Sequence, residues 1–279
     1  MIVSYSIRYE ILNHDLQNPF REVDVQATPE EIAAMTRDGF LVREKAIQGA
    51  MLEDLRRGVD ALEEEEGKNP RPGEGYNGDR RYGGLFMRWL FDRHPAFLPL
   101  LEFPPFLSVA RAMLGPQVQI RGMTARISYP NKPNQETHWH QHHRVIPRPL
   151  PPWFVRPHSV DVLLYLDELN DANGPVVVLP GSHDRILEDL APDSYGDFPG
   201  QKVLRLPAGS AVITHAGLWH RAMPTTAQGI RRRLVIIGYA PTWMREAPYG
   251  VRDMGGLSRK MREEGDGPSR ELLGNGGYT

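Results

Sequence analysis

The sequence predicts a mainly β protein, an antiparallel sandwich or jelly roll with helices laid over one of its sheets. Three observations lead there. From Val118 onward, short β-type runs alternate with Gly, Pro, Asn and Asp turns: Val118 to Tyr129, Val160 to Leu166, Val176 to Leu179, Lys202 to Leu206, Ser210 to Thr214 and Arg232 to Tyr239. Before that point apolar residues recur at helical spacing instead. Between the first two β-type runs lies Thr137-His138-Trp139-His140-Gln141-His142-His143, which holds four of the ten histidines.

Residues 1–27 read as an irregular arm in which Ile2, Val3, Tyr5 and Ile7 alternate weakly as a short strand. Thr28-Pro29-Glu30-Glu31 is a helix start, with a threonine cap, proline at the first helical position and glutamate at the third. Asp38-Gly39 ends that helix before the apolar Phe40-Leu41-Val42. A second helix, from about Ile47 to Glu65, repeats apolar positions at Met51, Leu52, Leu55, Val59 and Leu62. The acidic run Glu63 to Glu66 reads as its solvated end. Residues 67–84 are loop by composition, and Leu85 to Phe91 and Pro99 to Leu114 read as two more helices. With no internal repeat and no linker, 1–279 is expected to form one domain. Residues 28–117 form its helical support layer and 118–245 its β core, and a charged, Gly-rich tail over 255–279 gives a helix turn and a loosely ordered end.

Composition narrows the function classes. A formal charge of −2 gives no general attraction for nucleic acid or an anionic membrane. The absence of cysteine excludes disulfides, thiolate ligands and a cysteine nucleophile, so any metal must sit on nitrogen and oxygen. Met1 to Tyr9 lacks a signal-peptide pattern and no apolar run reaches membrane-spanning length, which makes the cytoplasm the expected location.

Histidines at 138, 140 and 142 alternate, so on an extended segment they share one face while Trp139, Gln141 and His143 point away. Imidazole is the commonest protein ligand for transition metals. Backbones of His138 and His142 are about 13 Å apart on a strand, so those two reach one ion only at full stretch. The expected pair is His140 with one neighbour. A third ligand must come from afar, and Thr214-His215-Ala216-Gly217-Leu218-Trp219-His220-Arg221 supplies one: a strand runs into a turn carrying histidine, before a second strand that opens with Arg231, Arg232 and Arg233.

His140-Gln141-His142, Asn173-Gly174-Pro175 leading to Pro180-Gly181-Ser182-His183, Leu218-Trp219-His220-Arg221 and Arg231 follow one another in an order that resembles the phytanoyl-CoA dioxygenase family. The resemblance spans about residues 28–245 and implies a double-stranded β-helix, iron(II) and 2-oxoglutarate as cofactors, and a small-molecule substrate oxidised by molecular oxygen. It implies that His140 and His220 bind iron and that Arg231 takes the far carboxylate of 2-oxoglutarate; on a regular strand Arg233 shares the face of Arg231 as a further cofactor-binding candidate and Arg232 points away, with a surface salt bridge the alternative for both. Arginine suits that role because its planar fork binds a carboxylate bidentately. Where the family carries aspartate, this chain has His142. Either His142 is a third nitrogen ligand, which is the expectation, or iron keeps two protein ligands and takes water or an anion. Glu136, the nearest carboxylate in sequence, is out of comfortable reach.

Other candidates have plainer expected roles. His183 is a structural turn residue, His215 is the rival to His220, and Asp161, Asp167 and Asp171 are solvated turn residues. The proline-stiffened segment 144–158, with Arg144, Trp153 and Phe154, is expected to line the substrate mouth together with His138 and loop 71–84. Hydroxylation of an unactivated C–H bond is the expected reaction. The alternatives are a three-histidine dioxygenase needing no 2-oxoglutarate and a non-catalytic ligand-binding jelly roll.

Overall fold

In a computed structural model, residues 4–12, 17–68, 84–133, 135–142, 157–185, 187, 194–244 and 256–273 are described. Arg144, Trp153, Phe154 and all but one residue of loop 71–84 lie outside them.

The chain opens with an antiparallel hairpin, β1 (Tyr5–Glu10) and β2 (Phe20–Val25), where the sequence had shown only the first strand. Helix α1 (Pro29–Asp38) begins as its residues dictate: Thr28 Oγ1 accepts from Glu31 N at 3.1 Å, and Glu31 Oε2 accepts from Thr28 N at 2.8 Å. Gly39, at φ 82°, ends it. Thr28→Ala is expected to cost about 1 kcal/mol, read in urea unfolding as a lower midpoint with an unchanged slope.

Strand β3 (Phe40–Arg43) and helix α2 (Gly49–Lys68) follow. The acidic end of α2 is not simply solvated. Glu66 is buried with its Oε1 2.6 Å from Arg93 Nη2, and Glu63 accepts from the Tyr129 hydroxyl and from Arg231. Nor is the stretch from Leu85 one helix. It forms β4 (Leu85–Arg88), paired with the strand that follows α4, before a single turn α3 (Leu90–Arg93). Trp89 at φ 57° makes the break. The helix expected from Pro99 starts later, as α4 (Pro104–Leu114), because Pro104 and Pro105 occupy its opening turn and a 3₁₀ turn spans Pro95–Leu100.

The remaining strands are β5 (Val118–Ser128), β6 (Thr137–His140), β7 (Val160–Tyr165), β8 (Val176–Val178), β9 (Lys202–Leu204), β10 (Ser210–His215), β11 (His220–Ala222) and β12 (Arg232–Pro241). They form two antiparallel sheets, β3-β10-β7-β12-β5-β4 and β6-β11-β8-β9. Leu163, Tyr165, Val212 and Leu234 of the larger sheet share a core with Val176 and Val178 of the smaller and with Leu218 just before β11. The opposite face of the larger sheet, with Val162, Leu164, Ile213, Val235 and Ile237, packs with Leu55, Val59 and Leu62 of α2 and Phe106 and Val109 of α4. A side chain of the larger sheet therefore faces either the space between the sheets or the helices, alternating along each strand apart from the bulge at Gly238 and Tyr239. In the C-terminal segment, α5 (Gly256–Glu264) and α6 (Gly267–Leu272) are followed by Leu273, which joins Leu272 in the helix-side core. Among the described residues, no helix is long and apolar enough to cross a membrane.

Candidate metal centre

His140 and His220 face each other across β6 and β11 in direct register, with ring centroids 4.3 Å apart. Each ring is held by its own strand. His140 Nδ1 is 2.8 Å from the His138 carbonyl, and His220 Nδ1 is 2.9 Å from the Leu218 carbonyl. A carbonyl can only accept, so both rings carry their proton on Nδ1 and leave Nε2 bare. Burial, reinforced by His220 and His142, pushes His140 well below its ordinary pKa, and burial with His142 pushes His220 down to about 3. Both are neutral at pH 7, the form that binds metal.

His142 lies just past the end of β6. Its backbone N–H donates to Ala216 O at 2.8 Å, which draws the chain toward the turn between β10 and β11. Its ring centroid is then 4.8 Å from that of His220 and 5.6 Å from that of His140. One ligand atom from each of His140, His142 and His220 falls within 4.8 Å of the others. An ion bonded at about 2.1 Å needs its donors within roughly 4.2 Å of one another, so small ring rotations close the set. Three imidazoles at this spacing fit a divalent transition metal such as iron(II).

Among the described residues, the other histidines fall outside the cluster. His138 is buried beside it, its ring 5.5 Å from His140 and 6.1 Å from Tyr195. His215 instead stacks 4.8 Å from His183, accepting the Gly217 N–H at Nδ1, while His183 Nε2 meets Thr36 O at 3.0 Å. That pair ties α1 to the turn after β10.

Asp161, on β7, is a correction to the expectation of a solvated turn residue. It is 0% exposed, with Oδ1 taking Arg121 Nη2 at 2.7 Å and Oδ2 2.9 Å from His142 Nδ1. Burial alone would raise its pKa, but Arg121 and His142 hold the carboxyl below the usual carboxylate range. Gly238 lies opposite on β12, where a Cβ would stand 2.9 Å from Oδ1. A signal was present in the sequence: a lone carboxylate within Val160-Asp161-Val162-Leu163-Leu164-Tyr165 is a charge in a fully apolar strand. Asp167 is likewise buried, accepting from Arg233 at 2.7 and 2.8 Å, whereas Asp171 is exposed.

The structure does not bring Arg231 or Arg233 to the histidines. Both turn to α2, where Arg231 pairs with Asp60 and Glu63, and Arg233 bonds Asp60 Oδ1 at 2.7 Å and Asp167. The cause is the alternation of β12: Leu234 faces between the sheets, so Arg232 does too, and its odd-numbered neighbours face the helices. Arg232 is 1% exposed, donating to Asn173 O at 3.0 Å and Ser128 Oγ at 3.1 Å, with Nε left without a partner. Burial lowers its pKa. Tyr165, raised by burial to about 12, lies in the field of Arg232 and Arg126. The two acceptors of Arg232, Asn173 O and Ser128 Oγ, are neutral, and the Asp167 carboxylate adds opposite charge at longer range.

Two antiparallel sheets carrying a three-histidine cluster suit a non-haem metal centre. Residues 35–233 match the phytanoyl-CoA dioxygenase family. The chain belongs to that family, and it is an iron(II)- and 2-oxoglutarate-dependent dioxygenase. It is 25% identical over 236 residues to an L-proline trans-4-hydroxylase of Streptomyces griseoviridis, covering 73% of this chain and 82% of the relative. It is 26% identical over 160 residues to a probable alpha-ketoglutarate-dependent hypophosphite dioxygenase of Stutzerimonas stutzeri, covering 50% and 51%. In fold it is similar to HygX from Streptomyces hygroscopicus, solved with nickel, 2-oxoglutarate and hygromycin B bound (TM-score 0.62, 18% identity, 82% of this chain and 95% of that one). It is also similar to the carbocyclase SnoK from nogalamycin biosynthesis (TM-score 0.61, 15% identity, 77% and 84%).

Proposed function

We propose that this protein hydroxylates an unactivated C–H bond of a small organic substrate, with iron(II) on His140, His142 and His220 and the far carboxylate of 2-oxoglutarate on Arg232. The observation that carries this is the pairing of a three-histidine cluster with a buried arginine whose Nε has no partner. The paired sheets support a jelly roll of the double-stranded β-helix type, with β6, β11 and the start of β12 bringing ligands and anion anchor to one interior. Bound iron supplies oxygen activation, and the overall change is substrate, O2 and 2-oxoglutarate to alcohol, succinate and CO2. The chain's own residues hold and orient. His140 and His220 present Nε2 because backbone carbonyls occupy Nδ1. Arg232, with Tyr165 and Ser128 near it, sets the cosubstrate's direction by fixing the end remote from iron.

Purified protein with iron(II) is expected to convert 2-oxoglutarate to succinate, slowly alone and faster with the right substrate. The candidate substrates are free amino acids including L-proline, and hypophosphite, after the similar L-proline trans-4-hydroxylase and probable hypophosphite dioxygenase. An iron-loaded protein that consumes no 2-oxoglutarate with any of them, and does not bind it in a calorimeter, would overturn the reading.

A further inference from the structure

We propose that Asp161 positions His142 for the metal: its carboxylate holds the proton on Nδ1 and leaves Nε2 as the ligand atom. The inference rests on the reading of His142 as a ligand. In His140 and His220 a backbone carbonyl two residues back performs this task. No such carbonyl serves His142, which lies past the end of β6. Instead Asp161 Oδ2 stands 2.9 Å from Nδ1, and that oxygen, buried in β7, has no hydrogen bond formed in line to it. A slight turn of the imidazole about its Cβ–Cγ bond aligns the pair. The backbone of His142 is already pinned from the other side by Ala216 O. With both ends fixed, Nε2 is the atom left to meet His140 and His220.

Arg121 makes the arrangement directional. It donates to Oδ1 at 2.7 Å, so it demands an acceptor there and assigns Oδ2 to the histidine. It also supplies the opposite charge that a carboxylate at full burial requires. The dyad is neutral as a whole. The carboxylate absent from direct contact with the metal is thus present one residue behind it, where it strengthens the imidazole as a donor instead of binding.

Asp161→Asn tests this sharply, because Arg121 will claim the amide oxygen. The amide NH2 then faces Nδ1, which must accept, and the proton moves to Nε2, where it blocks the metal. Fe(II) and Ni(II) affinities, measured by titration, are expected to fall about 10- to 100-fold. Pulsed EPR of the Cu(II)-loaded protein should lose the remote-nitrogen signal of one of three imidazoles. In a His142→Asp background the same change should cost nothing or improve binding, since it removes a carboxylate facing a carboxylate. Unfolding midpoints with and without Ni(II) separate a damaged fold from a damaged site. Should Asp161→Asn fail to accumulate, ¹⁵N NMR of Zn(II)-loaded wild type decides: His142 bound through Nε2 with a protonated Nδ1 supports the proposal, and Nδ1 ligation overturns it. Unchanged affinity and three imidazoles in Asp161→Asn would also overturn it. If His142→Ala itself binds metal as wild type does, the ligand reading fails first, and the two failures are told apart.

Discussion

Replacing His140 or His220 by alanine is expected to abolish iron binding, with less than a tenth of an equivalent retained after desalting. Removing a partner that merely orients a ligand typically costs 10- to 100-fold in affinity, so loss of a ligand should cost more than about 100-fold. Among the described residues, no fourth histidine joins the cluster. His138 and His215 are the neighbouring imidazoles, and His215 is committed to Gly217 and stacked on His183. Both rings sit in paired strands, so truncation leaves the backbone ladder intact and the effect local. His138→Ala is the control and should keep its full iron. Metal analysis of the three variants checks the set. A full equivalent of iron in His140→Ala or His220→Ala would remove the proposed centre.

Arg232→Ala is expected to raise the KM for 2-oxoglutarate by roughly 10- to 150-fold, the equivalent of the 1.5–3 kcal/mol of a charge-assisted bond, while iron content stays near wild type. The preference for 2-oxoglutarate over 2-oxo acids lacking the far carboxylate should collapse with it, which a mere packing defect would not produce. Arg231→Ala should leave the KM unchanged and lower stability instead, since it frees Asp60 and Glu63 on α2 from one of their cations. If Arg231→Ala raises the KM and Arg232→Ala does not, the facing of β12 derived from Leu234 and Val235 is wrong.

Much of this was legible in the residues. The capping box of α1 and the β-type runs after Val118 follow from local pattern, while the choice of His220 over His215 as the partner of His140 comes from the family resemblance. His142 is instructive. A continuous strand would put it about 13 Å from His138, but the strand ends at His140, and a bond to Ala216 sets where His142 goes. Facing was harder than composition. Three consecutive arginines give no clue to which one turns inward until the flanking Leu234 and Val235 are assigned to cores, and that needs both sheets. The break at Trp89 was illegible because β4 is held by pairing with β5, a contact about forty residues distant that local propensity does not contain.

The arginine triplet has a consequence for how this region can change. A slip of β12 by one position would still place an arginine inward and an arginine toward α2, and Leu234, Val235 and Ile236 would exchange one apolar face for another. Composition at that end is therefore indifferent to insertion or deletion in the preceding loop. What is not indifferent lies farther along the strand, where Gly238 stands against Asp161 with no room for a Cβ. Moved by one, the strand would press Ile237 or Tyr239 onto that carboxylate. Asp161, proposed to aim His142, is thus also the residue against which β12 is aligned, so that a shifted register of that strand would meet steric resistance beside the histidine cluster.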